Sequence, residues 1–180
     1  MKLKEYQQQA QRTCSDLGSE AINLAHMVLG ICSEDEEYSK ACVQFDNIGM
    51  QEEIIDKFWY IANYCNIRGF LLDELFEDRS NFFQEDWEQD CSIYEVQLSK
   101  LQDYVKKYLA YGKEPNPEKE VNAIKGILFV LDNELDFNEL NLEQGLQNNI
   151  DKLRVRFPDK FTTENALNRN LDEERKQLEK

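Results

Sequence analysis

Histidine, proline and glycine are scarce in this chain: one, three and seven in 180 residues. The single histidine, His26, excludes multi-histidine metal sites and leaves chemistry to carboxylates, lysines and arginines. So few prolines and glycines leave long stretches uninterrupted, which favours helices. Long hydrophobic runs are missing too. The longest, 127–131, falls far short of the roughly 20 residues that span a bilayer. Met1-Lys2-Leu3-Lys4-Glu5 carries no apolar stretch behind its lysines and does not read as a secretory signal. Five cysteines (Cys14, Cys32, Cys42, Cys65 and Cys91) form an odd set with no CxxC spacing. Reduced thiols in a cytoplasmic protein are expected, not disulfides or zinc ligands. Positive charge is also short, with 21 Lys and Arg against 36 Asp and Glu, a formal charge of −15. That field repels phosphate backbones and anionic lipid, so neither nucleic acid nor a membrane is an expected partner.

What is present suffices for a core: 41% of residues are apolar, too many for general disorder. Ile22, Ala25, Leu29 and Cys32 recur at helical steps between about 19 and 43. A polar stretch, Asp46-Asn47-Ile48-Gly49, reads as a loop. Ile54, Phe58, Ile61 and Cys65 then mark a second helix, with Ile55, Trp59 and Ala62 making it apolar on an adjacent face. Residues 77–90, charged and aromatic, read as a connection. Tyr94, Leu98, Leu101, Val105 and Leu109 mark a further helix that stops at 112–118. Asn116-Pro117 reads as an N-cap and first helical position, opening a helix through Val121, Ile124, Leu128 and Leu131. Residues 146–156 are helical until Phe157-Pro158, and 163–180 form a helical arm with little apolar surface. No segment alternates as a strand would. The fold class is all-α, one helical domain over 1–180.

Two acidic pairs stand out, Glu34 with Glu37 and Glu53 with Asp56. Residues three apart share a helix face, so two antiparallel helices would converge four carboxylates, a cage suited to Mg²⁺, or to Mn²⁺ in its place. With 36 acids in 180 positions, roughly seven such pairs arise by chance, mostly on solvated faces. The pair at 53 and 56 differs because it lies in an apolar segment, where unpaired acids are costly.

The stretch Leu29-Gly30-Ile31-Cys32-Ser33-Glu34-Asp35-Glu36-Glu37, followed by Glu52-Glu53-Ile54-Ile55-Asp56-Lys57-Phe58-Trp59-Tyr60, resembles the MazG-like all-α nucleoside triphosphate pyrophosphohydrolases. His26, the start at Glu5-Tyr6-Gln7 and Arg12-Thr13, the run from Asn149 through Phe161, and Ala166-Leu167-Asn168-Arg169-Asn170-Leu171 with Glu173-Glu174-Arg175 look like its phage and bacterial branch. The resemblance implies Mg²⁺-dependent hydrolysis of a (d)NTP to (d)NMP and pyrophosphate. It implies Glu34, Glu37, Glu53 and Asp56 as metal ligands, with Glu34 or Glu37 as general base. Lys106, Lys107, Lys113, Lys152 and Arg156 are the phosphate contacts it implies, while Asn149 either contacts nucleotide or caps the following helix. His26 is expected in the core or lining a pocket, and Trp59 and Tyr60 either line a base pocket or pack in the core.

The departures from the family pattern suggest an internal duplication. Lys106-Lys107 and Tyr111-Gly112-Lys113 follow both acidic pairs instead of lying between them. At the family's spacing from Lys106, the acids fall on Gln97, Lys100, Ala123 and Gly126. Residues of about 15–77 then form a metal-binding unit, and about 91–157 a lysine-bearing unit without those acids; the alternative is that 78–105 is an insertion. Simple members of the superfamily are homodimers, and dimeric dUTPases resemble a fused pair, so a single-chain pseudo-dimer is expected. The alternatives are a dUTP- or dCTP-specific diphosphatase, or a catalytically idle helical partner-binding protein of the same fold.

Overall fold

A computed structural model describes residues 1–82 and 93–180. Most of the 77–90 connection, together with Cys91, lies outside the described residues. Helices and no strand occur among those described: α1 (Leu3–Gln11), α2 (Glu20–Gln44), α3 (Asn47–Arg68), α4 (Leu72–Glu77), a 3₁₀ turn (Arg79–Phe82), α5 (Ile93–Tyr111), α6 (Pro117–Phe137), α7 (Leu142–Arg156), α8 (Thr163–Leu167) and α9 (Leu171–Leu178). None is long and apolar enough to cross a membrane.

The ends of these helices follow from local chemistry. Ser19, Asn116, Asn141, Thr162 and Asn170 each accept a backbone N–H of the first turn they precede, which satisfies donors the helix itself leaves open. Pro117 occupies the first turn of α6, as its fixed φ favours. Between α2 and α3 only Phe45 and Asp46 are non-helical, so the expected loop over 46–49 is a correction: α3 starts at Asn47. Gly49 permits that tight reversal, because a Cβ there would stand 2.7 Å from Asp46 Oδ2 and 3.2 Å from Ala41 Cβ.

The core lies between two helical hairpins, α2–α3 and α5–α6, with α2 packed on α5 and α3 on α6. On α3 the expected stripe is the buried one: Ile54, Phe58, Ile61 and Cys65 are at most 1% exposed. Each such side chain contributes about 1.5–3 kcal/mol on leaving water. On α2 the stripe is displaced. Ile22 and Leu29 are 43% and 67% exposed, while Leu24, Met27, Val28 and Ile31 are buried. Residues 22–32 are apolar around most of the helix, so periodicity alone cannot choose a face; contact with both α3 and α5 does. Leu109 is likewise exposed, near the end of α5.

Two short helices carry more of the packing than their lengths suggest. α1 inserts Tyr6 and Ala10, both 0% exposed, between α3 and α7. α4 buries Leu72 and Leu75 and, with the 3₁₀ turn, covers α6. Arg79 and Lys125 join these pieces through ion pairs to Asp132 and Asp78. On the second hairpin Gln97, Ala123 and Gly126 are buried and Lys100 is exposed.

Candidate functional site

The α2–α3 reversal sets Glu34 and Glu37 against Glu53. One carboxylate oxygen from each lies within 4.8 Å of the others. Glu34 and Glu53 are each 9% exposed, whereas Glu37 opens to solvent. Glu34 and Glu53 hydrogen-bond each other. Burial, then the field of Asp56, then this hydrogen bond push the Glu53 carboxyl up to about 9. Burial and Asp56 also raise Glu34, against lowering by the bond to Glu53. The two therefore titrate as a pair that retains a proton near neutrality.

Asp56 stands beside the three glutamates with a different set of partners. Lys152, 0% exposed, donates to both its oxygens at 2.6 and 2.8 Å and to Glu52 at 3.0 Å. Asn149 Nδ2 donates to Asp56, and Asn149 Oδ1 accepts from Tyr6 at 2.9 Å. Asp56 and Glu52 hold the Lys152 ammonium above its ordinary value although burial opposes this. Asn149 thus sits inside α7, whose N-cap is Asn141; its expected alternative as a helix cap does not hold. Arg156 follows Lys152 by one turn of the same helix face. The structure does not bring Lys106, Lys107 or Lys113 to the acids. Lys106 and Lys107 pair with Asp103 on α5, and Lys113 makes no ion pair among the described residues.

Aromatic side chains border the acids. Tyr60 packs edge-on to Trp59 and His26, with ring centroids 5.0 and 6.1 Å away. Trp59 Nε1 donates to Thr13 at 3.0 Å, and both Trp59 and Tyr60 are half-buried and packed against the core, as one of their two expected roles requires. Two buried polar atoms there, His26 Nδ1 and Asn63 Oδ1, have no partner among the described residues. Tyr60 lies directly over Gly30, where a Cβ would come within 2.1 Å of its ring. Gly30→Ala should expel that ring and lower stability by about 1–3 kcal/mol, the range for overpacking a tight contact. Urea denaturation checks this, and an unchanged midpoint would refute the close packing.

The donor set is all carboxylate oxygen with a buried like-charge pair that retains a proton, which fits a hard divalent cation such as Mg²⁺ or Mn²⁺. Sequence reasoning missed Tyr6 and Glu52 as members of this network. It placed Glu174 in the resemblance but gave it no role at the site, where the arm presents it to Arg156. Only long-range packing reveals them, since Tyr6 and Glu174 lie 143 and 25 residues from Asn149. No family model, curated protein or solved structure matches the chain.

Proposed function

We propose that this protein is a Mg²⁺-dependent nucleoside triphosphate pyrophosphohydrolase, releasing a nucleoside monophosphate and pyrophosphate. One observation carries the reading: three glutamates from antiparallel helices converge within 4.8 Å beside a buried lysine. A bound Mg²⁺ would offset phosphate charge and lower the pKa of an attacking water. Glu34 is suited to take that water's proton, because burial and the field of Asp56 raise its carboxyl and make it a stronger base than an exposed glutamate. The water oxygen attacks the α-phosphorus, the bond from that phosphorus to the bridging oxygen breaks, and pyrophosphate departs. Lys152, held by Asp56 and Glu52, keeps positive charge beside the acids. A local cationic set explains how a chain of charge −15 accommodates a polyanion.

Incubation with each dNTP and Mg²⁺ should yield monophosphate and pyrophosphate in equal amounts. Inorganic phosphate as the first product, or no product from any nucleotide, refutes the reading.

The protonated glutamate pair makes metal binding pH-dependent. With the Glu53 carboxyl at about 9, a cation must displace a proton at pH 6, and displacement grows easier as pH approaches 9. Thermal stabilisation by Mg²⁺ should therefore be larger at pH 8.5 than at pH 6. Equal shifts at the two pH values would remove the glutamate pair from the metal site.

A further inference from the structure

The C-terminal arm meets the acid site at a buried carboxylate. Glu174 on α9 is 2% exposed, although most of the arm is open to solvent. Two arginines converge on it. Arg156 donates through Nε and Nη2, and Arg169 donates through Nη2 at 2.8 Å and Nε at 3.3 Å. Both guanidinium groups bind edge-on through the same two nitrogens. The Nη1 group of each has no partner among the described residues. Two cations on one carboxylate leave a net positive charge.

The position of this pair is fixed from three sides. Arg156 lies one turn, about 6 Å, along α7 from Lys152 and shares its face toward α3. Arg12 Nη1 holds the Phe157 and Asp159 carbonyls, each at 2.8 Å, where the chain leaves α7. Arg175 anchors α9 to Asp46 at the start of α3, at 2.9 and 3.1 Å. Burial lowers the Arg169 pKa, but its bonds to Glu174, and then the fields of Glu174, Asp56 and Glu52, raise it.

We propose that the α8–α9 arm completes the phosphate site. Arg156 and Arg169, set side by side by the buried carboxylate of Glu174, grip the phosphates of the nucleoside triphosphate, and Glu174 is a positioning residue. This rests on the triphosphate reading above and adds Arg169 and Glu174 to it. Paired guanidinium groups with free N–H edges match phosphate oxygens in geometry as well as charge. A carboxylate that holds them through their other edges reduces the freedom lost on binding.

The test is calorimetric titration of the Mg²⁺-loaded full chain with α,β-imido deoxynucleoside triphosphates, which bind without turnover. Arg169→Ala should weaken binding at least tenfold while the protein stays folded, because Glu174 keeps its bonds to Arg156. Arg169→Lys should restore only part of it, because an ammonium lacks the fork. Glu174→Gln should raise KM more than it lowers kcat. Binding by Arg169→Ala equal to that of the parent overturns the grip and leaves the hydrolase reading intact. Parent binding without turnover of the natural nucleotides overturns hydrolysis alone. No binding by the parent overturns both.

Discussion

Exchange of Glu53 for glutamine is expected to cut Mg²⁺-dependent turnover by a factor on the order of 10²–10³, the usual cost of removing one electrostatic contact to a reacting group. The metal-free protein should nevertheless be as stable as the parent or more so. The folded Glu53 carboxyl, pushed up to about 9 by burial, Asp56 and Glu34, lies above its ordinary 4.5. Its burial therefore costs nothing below about pH 4.5, and stability falls progressively from there to about pH 9 because the folded protein holds a proton that the unfolded chain has released. At pH 8 a neutral glutamine avoids this cost and can still hydrogen-bond Glu34. Asp56→Asn should lose turnover to a similar degree but with the opposite effect on stability. It removes the closest carboxylate from Lys152, a fully buried cation that keeps only Glu52 at 3.0 Å. Stranding one partner of a buried pair costs about 3–5 kcal/mol, here at the lower end because Glu52 remains. Melting in EDTA at pH 8, paired with turnover in Mg²⁺, separates the two. A Glu53→Gln protein that retains a tenth of the activity, or that melts well below the parent, would refute this account.

A loss of turnover without a loss of stability would mark Glu53 as kept for chemistry, whereas Asp56 also holds the buried Lys152. Glu34, Glu37, Glu53 and Asp56 were legible in the sequence as candidates while their surroundings were not. Glu53 and Asp56 sit in an apolar run, a local conflict that reports a function. α5 and α6 were legible because their apolar positions repeat with one dominant face, and α3 because its stripe at Ile54, Phe58, Ile61 and Cys65 persists beside a second apolar face. α2 was legible as a helix but not in its orientation, since 22–32 is apolar on more than one side. α1 and α4, of nine and six residues, are too short for periodicity to register. Glu174 reads as one of three consecutive acids on a polar helix. Its burial comes from Arg156, 18 residues earlier, and no local pattern encodes that pairing.

The largest stability effect is expected at Glu120, away from the Glu34–Glu37–Glu53 cluster. Glu120 lies in the first turn of α6 and is 0% exposed. Its two oxygens accept from Arg68 Nε at 3.0 Å and Arg68 Nη2 at 2.9 Å, and Oε1 also accepts from the Tyr64 hydroxyl. Arg68 Nη1 reaches on to Glu20 at 2.6 Å. One buried carboxylate thus ties the end of α3 to the starts of α2 and α6, joining the two hairpins. Burial and Glu120 raise the Tyr64 hydroxyl, so it donates at every accessible pH. Glu120→Ala leaves a largely buried guanidinium and a buried hydroxyl without this acceptor, and should cost about 3–5 kcal/mol. At about 2–4 °C per kcal/mol for a chain of this size, melting should fall by roughly 10 °C. The same chain with Arg68→Met added should recover much of that loss, because the stranded charge is gone. Urea denaturation of the single and double variants decides between a tie and a bystander. A Glu120→Ala loss below about 1 kcal/mol, the range of exposed ion pairs, would show that the hairpins are held by apolar packing alone.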